Sequence, residues 1–298
     1  VGEAWGADIP RARQYSAPDG SVFSMVFQFE QMCLDHEADK WVPKAMTLPE
    51  LKASIARWQQ GLHGCGWNSL FWDNHDLPRI VSRWGDDGER RVDSAKALAV
   101  ALHGLQGTPY IYQGEELGMT NAPYPLEELR DLESINAYHE MVEKGMPEAD
   151  ALAAIHRMMR DNARTPMQWT DGPHAGFTSG TPWMMVNPNY TRINAAAALA
   201  DPGSVFYTYQ KLIALRKAHP VFVEGDFTLL CPEDEQVFAY LRRGAGQELL
   251  AAVNLSGRSA PFALPEAFAG CEPLLATQGA LQAGVLRPWE AQLYLREL

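Results

Sequence analysis

Phe71-Trp72-Asp73-Asn74-His75-Asp76-Leu77-Pro78-Arg79 follows Gly66, Trp67, Asn68, Ser69 and Leu70, so an apolar run climbs into a polar tip closed by a proline. This pattern predicts a buried strand over 67–73 whose carboxyl end aims side chains into a site. The competing reading is a helix-capping turn, where an Asp near a Pro is common. The neighbouring segments favour the strand. Upstream, 24–30 is a short apolar run ending in Gln28 and Glu30, which predicts another strand with a polar exit. Between the two, Leu51, Ile55, Trp58 and Leu62 recur at helical spacing over 48–62. Downstream, 91–105 is rich in Ala and Leu with Asp93 and Ser94 near its start, which predicts a second helix. Residues 107–116 then give a third strand with a polar exit. Strand, helix, strand, helix, strand is the order of a parallel α/β unit.

Beyond this unit the texture changes twice. Residues 121–200, with their prolines, glycines and a helical stretch near 148–159, read as an elaborated loop after a strand, and in barrels such loops carry function. Residues 204–217 form a strong helix signal with a basic end. After Pro220, short strand-like runs at 237–241 and 249–253, separated by Gly and Pro, predict an all-β domain over 221–298.

Composition narrows the function classes. The chain has 298 residues, 46% of them hydrophobic, enough for one large domain or two unequal ones. A formal net charge of −12 argues against nucleic acid as a partner, because phosphate neutralisation needs a basic surface. No apolar run reaches the roughly 18 residues of a membrane span, so no membrane partner is expected and the cytoplasm is the default setting. Cys33, Cys65, Cys231 and Cys271 are scattered, without a C-x-x-C pair, and read as buried thiols rather than metal or redox sites. No cofactor or metal is implied. Nine Trp and ten Tyr supply flat faces that suit sugars and ordinary cores alike.

Two carboxylates stand out, Glu3 in Val1-Gly2-Glu3-Ala4-Trp5-Gly6 and Asp76. Breaking a glycosidic bond needs an acid for the departing oxygen and carboxylate help at the cationic anomeric carbon. Spacing alone does not show that the two meet, and a surface position is the ordinary alternative for Glu3.

Val1 to Gly6, Asn74 to Arg79, Gly107-Thr108-Pro109 through Glu116, and Arg160-Asp161-Asn162-Ala163-Arg164-Thr165-Pro166-Met167-Gln168-Trp169 together resemble the α-amylase superfamily, glycoside hydrolase family 13. Within it the chain is most similar to the oligo-1,6-glucosidase group, and Trp5 and Leu77 resemble its dextran glucosidase (glucan 1,6-α-glucosidase) branch. The resemblance implies an α/β fold: the second half of a (β/α)8 TIM barrel over 1–220, followed by a C-terminal all-β sandwich domain over 221–298.

It also implies roles. Glu3 is the general acid/base, and Asp76 the carboxylate that holds the sugar hydroxyls as positive charge develops. His75 donates to the same sugar. Arg160 binds the non-reducing end and closes the pocket, although a surface ion pair is its plain alternative. Lys40 and Glu133 match positions that contact the second sugar. Trp5 offers a flat face to a sugar, or is simply a core residue. The implied partner is a gluco-oligosaccharide substrate.

The family's nucleophile lies in a Gly-Phe-Arg-x-Asp motif, which is absent from this sequence, as is the upstream Asp-x-x-x-Asn-His motif. The chain therefore reads as a fragment that is inactive alone and that self-associates or needs its upstream half. Alternatives within the family are a trehalose-6-phosphate hydrolase, an α-1,4-glucosidase and a sugar isomerase. Outside that chemistry stands a non-catalytic carbohydrate-binding or transporter-associated protein, against which the intact Glu3, His75, Asp76 and Arg160 argue.

Overall fold

A computed structural model describes all of residues 1–298. Its first part repeats one unit. Strand β1 (Gly2–Glu3) leads to helix α1 (Ile9–Tyr15), β2 (Val26–Phe27) to α2 (Leu48–Leu62), and β3 (Ser69–Leu70) to α3 (Ile80–Trp84) and α4 (Arg91–His103). β4 (Thr108–Pro109) follows. β1 pairs in parallel with β2, the parallel bridge Val26↔Asn68 joins β2 to β3, and β3 pairs in parallel with β4. The four strands thus stand side by side in chain order, with their carboxyl ends pointing one way. The ladders are shorter than the predicted 24–30 and 67–73 because the polar exits leave them early. Gln28, for instance, turns its amide to Gln31 at 2.5 Å instead of continuing the strand. Gly107 lets β4 start close to β3: its φ is +137°, and a Cβ there would lie 2.5 Å from the Asn68 carbonyl oxygen.

The helices follow their sequence signals. At α2, Thr47 and Glu50 form a reciprocal capping box, and Leu51, Trp58 and Leu62 are buried. α4 ends at His103, two residues short of the predicted 105. Gly104 terminates it, and a Cβ there would lie 2.1 Å from the Tyr240 hydroxyl. The segment 121–200 has more helix than the sequence suggests. It carries α5 (Leu132–Glu143), α6 (Glu148–Met158), α7 (Asp161–Arg164) and α8 (Ala195–Ala200), and encloses its own apolar cluster around Tyr124, Ile155 and Met159. α9 (Val205–Ala218) then packs on α4, and α10 (Val221–Glu224) leads out.

The remaining chain is β-rich. Its strands are β5 (Thr228–Leu230), β6 (Val237–Gly244), β7 (Gln247–Asn254), β8 (Ala260–Pro261), β9 (Leu275–Ala276), β10 (Val285–Leu286) and β11 (Ala291–Glu297). They form an antiparallel sheet of order β5-β6-β7-β11-β9 and a β8–β10 ribbon. Alternation decides what each face covers. Phe238, Tyr240, Leu249, Ala251, Val253 and Leu293 join the main apolar core with α4, while Val237, Ala239 and Ala252 pack with Ala260 and Leu286 of the ribbon. Buried cations seal the seam. Arg242 donates to the carbonyls of Gly104 and Gly225 at 2.7 Å each, and Lys52 donates to those of Cys231 and Asp234.

One expectation fails: the cysteines are not buried thiols. Cys33 and Cys231 are exposed, Cys65 and Cys271 half-buried, and all four are free. Cys33 sits in a one-turn 3-10 helix after β2, and Cys231 in a left-handed position at φ 48° after β5. These are turns rather than core positions.

Candidate active site

The carboxyl ends of β1–β4 enclose a cavity of about 310 Å³ walled by Glu3, Phe27, Phe29, Phe71, Asp73, Asn74, His75, Tyr110, Ile111 and Tyr112. Each strand contributes through its last residues or those just after it, as a barrel half requires. Glu3 ends β1 and is exposed, with the Trp5 indole N–H donating to its Oε1 at 2.9 Å. One face of Trp5 stacks on Phe29, with ring centroids 3.8 Å apart and planes 8° from parallel. The Trp5 side chain is nonetheless 59% exposed. A carboxylate so placed is reachable by a ligand and already oriented by one donor, as an acid or base requires.

His75 and Asp76 stand at the β3 exit. His75 Nε2 lies 3.3 Å from Asp76 Oδ2. The other oxygen, Oδ1, lies 2.5 Å from Arg164 Nη2 and 3.8 Å from Arg160 Nη1. The competing helix-capping reading does not hold for Asp76: Arg79 occupies the N-cap of α3, and the first N–H of that helix, from Ile80, goes to Asp73 Oδ2.

From Arg160 the charges continue outward. Its Nη2 meets Asp131 Oδ1 at 2.7 Å and Glu133 Oε2 at 3.2 Å, and Glu133 in turn meets Lys40 Nζ at 2.7 Å. Burial pushes the Asp131 carboxyl up, but the Arg160 guanidinium and the Ser134 hydroxyl outweigh it and hold it below the usual carboxylate range. The bond to Asp131 raises Arg160 in return. Lys40, Glu133, Arg160, Asp76 and His75 thus form one continuous chain of contacts leading to the cavity that Glu3 lines. All seven residues expected from the sequence lie in this region.

Three residues escaped the sequence reading. Arg164 clamps the site from α7: its Nε donates to the His75 carbonyl at 2.9 Å while its Nη2 holds Asp76. Its position four residues after Arg160, one helical turn away, was the available signal. Asp73, inside the opening stretch, is a buried residue of the cavity wall, and Glu115, after β4, is buried behind it, accepting from the N–H of the wall residue Tyr112. A larger cavity of about 390 Å³ opens elsewhere, around Asp35, Lys44, Arg83 and Arg157. Apart from Glu235, its charges are engaged with protein partners, Arg83 with Asp35, Lys44 with Glu50 and Arg157 with the carbonyls of Asp35 and Lys40.

Parallel strands whose carboxyl ends meet at a carboxylate-lined cavity, with an antiparallel sheet behind, are the layout of half a (β/α)8 barrel with a C-terminal β domain. Residues 1–225 match the alpha amylase catalytic domain, and the chain belongs to the α-amylase family, glycoside hydrolase family 13. It is 48% identical to an oligo-1,6-glucosidase from Halalkalibacterium halodurans, over 99% of this chain and 54% of that protein. It is 49% identical to a glucan 1,6-alpha-glucosidase from Streptococcus dysgalactiae subsp. equisimilis, over 98% of this chain and 55% of that one. The crystal structure of the Bacillus licheniformis trehalose-6-phosphate hydrolase superposes with a TM-score of 0.95 at 42% identity, over 99% of this chain and 55% of that one. The chain spans about half the length of the curated relatives it matches.

Proposed function

We propose that the full-length protein is a retaining α-glucosidase that cleaves α-1,6-glucosidic bonds at the non-reducing end of isomalto-oligosaccharides and dextran, in the cytoplasm. One observation carries the reading: Glu3 and His75 line a single cavity at the strands' carboxyl ends, and Asp76 adjoins it, held by two arginines. In this reading a carboxylate from the family's Gly-Phe-Arg-x-Asp motif attacks the anomeric carbon. Glu3 gives its proton to the departing glycosidic oxygen, and then takes one from the water that releases the sugar. His75 and Asp76 hold the hydroxyls of that sugar, Arg160 closes the pocket behind it, and Trp5, Lys40 and Glu133 meet the next one. The division at residue 220 into a barrel half and a sandwich belongs to the same reading.

That nucleophile motif is absent from these 298 residues. Alone, the chain is inactive in this reading, and its unpaired β1 and β4 edges either self-associate or pair with an upstream half. The geometry favours a neutral sugar over a phosphorylated one. Lys40, Arg160 and Arg164 are each within 2.7 Å of a carboxylate, so the cations at the rim are already matched. The test is turnover of isomaltotriose, maltose and trehalose-6-phosphate by the full-length protein. Preference for isomaltotriose supports the reading. Preference for the phosphorylated disaccharide replaces it, and binding without turnover returns the protein to the non-catalytic class.

A further inference from the structure

Arg79 has no part in the proposed chemistry, yet its long side chain is only 1% exposed. Burying a guanidinium is costly unless its N–H groups are engaged. Here Nη1 donates to the Gln113 carbonyl at 2.5 Å, Nε to the Asn162 carbonyl at 3.2 Å and Nη2 to the Ala163 carbonyl at 3.2 Å. All three acceptors are main-chain groups of other segments. The Tyr112 ring faces the guanidinium, 5.3 Å from its Cζ, and the Tyr112 hydroxyl donates to the same Ala163 carbonyl at 3.1 Å. The Arg79 main-chain N–H goes to Asn121 Oδ1 at 2.9 Å.

Two of those carbonyls belong to α7, a helix of four residues. A single turn does not stand by itself, because its first bond must fix several residues at once. Neighbours must hold it. On one side Asp161 Oδ2 accepts from the N–H groups of Arg130 and Asp131 at 2.7 and 3.1 Å. Asn162 accepts from the Ala122 N–H at 3.0 Å and donates to the His156 carbonyl at 2.8 Å. These bonds anchor α7 to the segment 121–158. Arg79 anchors it to the exits of β3 and β4.

What α7 carries gives that anchor a consequence. Arg160 is its N-cap and Arg164 its last residue, and both guanidinium groups reach Asp76 Oδ1. Asp76 and Arg79 are separated only by Leu77 and Pro78, both buried. The short segment 76–79 therefore grips α7 at two points. Asp76 takes the arginine side chains, and Arg79 takes the main chain between them. A single grip would leave the helix free to pivot about the ion pairs, and the second sets its angle.

We propose that Arg79 is a positioning residue: by holding the α7 main chain against the β3 exit, it fixes how Arg160 and Arg164 present themselves to Asp76. It touches no substrate. The proposal rests on the reading of Asp76 as a carboxylate that holds the sugar.

The experiment uses the full-length protein and Arg79→Lys, which keeps the charge but loses the planar fork that serves three carbonyls. Hydrogen exchange is followed at the amides of Asn162 and Ala163, with those of α9 as the control. Slow exchange is expected in the wild type, a measurement that needs no variant to fold, and faster exchange in Arg79→Lys with α9 unchanged. In parallel, kcat/KM on isomaltose is measured for Arg79→Lys with Arg164 intact and in an Arg164→Ala background. A loss of about tenfold is expected with Arg164 intact, since misplaced groups cost rates of that order. The same substitution is expected to cost less than about threefold once Arg164 is gone, because residues that act through one clamp do not add. A loss of equal factor in both backgrounds marks a general effect on the fold and overturns the proposal. Fast exchange of α7 in the wild type, or exchange that Arg79→Lys leaves unchanged, overturns it as well. If the wild type shows no glucosidase activity, the functional reading fails, while the exchange measurement still decides whether Arg79 holds α7.

Discussion

Replacing Arg164 with alanine separates its structural contribution from its catalytic one. The side chain makes two bonds, to the His75 carbonyl at 2.9 Å and to Asp76 Oδ1 at 2.5 Å. A hydrogen bond to a charged group is worth about 1.5–3 kcal/mol when buried. Arg164 and Asp76 are about one-third exposed, so screening reduces the stability cost to about 1 kcal/mol. The cost to activity is larger. Asp76 then keeps only Arg160, at 3.8 Å, and His75, at 3.3 Å, and its carboxylate gains freedom to turn. Loss of orientation on that scale lowers kcat/KM about 10- to 100-fold, or roughly 1.4–2.7 kcal/mol of transition-state stabilisation. Arg164→Lys keeps the charge but not the fork, and falls between the two. The assay is kcat/KM on isomaltose and on an aryl α-glucoside in the full-length protein, with thermal melting alongside. The reasoning is refuted if Arg164→Ala melts earlier yet keeps kcat/KM within about twofold on both substrates, a margin that would leave no orientation term.

Glu3→Gln abolishes turnover of isomaltose, whose leaving alcohol needs a proton, but spares the first step on an aryl glucoside with an acidic phenol; azide restores breakdown of the intermediate, whereas Asp76→Asn gains nothing from either. Wild-type activity of Glu3→Gln on isomaltose sinks the assignment. His103 is fully buried, and burial pulls its imidazole down to about 4, outweighing the bond to the Ala99 carbonyl. The unfolded chain takes up that proton near pH 6.5, so stability is complete above about 6.5 and falls by roughly 3 kcal/mol as pH drops to about 4. Urea denaturation across this range shows a flatter acid limb in His103→Leu, and an unchanged slope counts against the idea. Tyr240→Phe removes a hydroxyl that donates to the Ala101 carbonyl at 3.0 Å and leaves that group buried and unpaired, at a cost of about 1–2 kcal/mol in the same assay.

The sequence was most informative where signals are local. The spacing of Leu51, Ile55, Trp58 and Leu62 locates α2 over its full length, and the apolar run before Asn74 points to β3. Strand lengths were not legible, because pairing depends on a neighbour's register, and Gln28 leaves its ladder for a partner only the folded chain supplies. The α5 helix was passed over although Ile135, Tyr138 and Met141 recur at helical spacing and pack with Tyr124 and Ile155, and Asp131 caps it by accepting from Ser134. At the site, the residue types of Glu3, His75 and Asp76 suggested their chemistry, but their meeting in one place came through the family resemblance. The spacing of Arg164 from Arg160 hints at a shared face, but its partners, His75 and Asp76, lie on a distant segment that no spacing rule names.

The seam between α4 and the β-sheet bears on how such enzymes can be recombined. Ala97, Ala99 and Ala101 of α4 belong to the same apolar core as Phe238, Tyr240 and Leu249, and Gly104 leaves no room for a side chain beneath the Tyr240 hydroxyl. A chimera that takes its sheet from a relative inherits half of a fitted joint. It folds well only if the donor also supplies the α4 surface, the Gly104 notch and the Arg242 anchor, so the useful crossover point lies ahead of Arg91 rather than at the change from helices to strands.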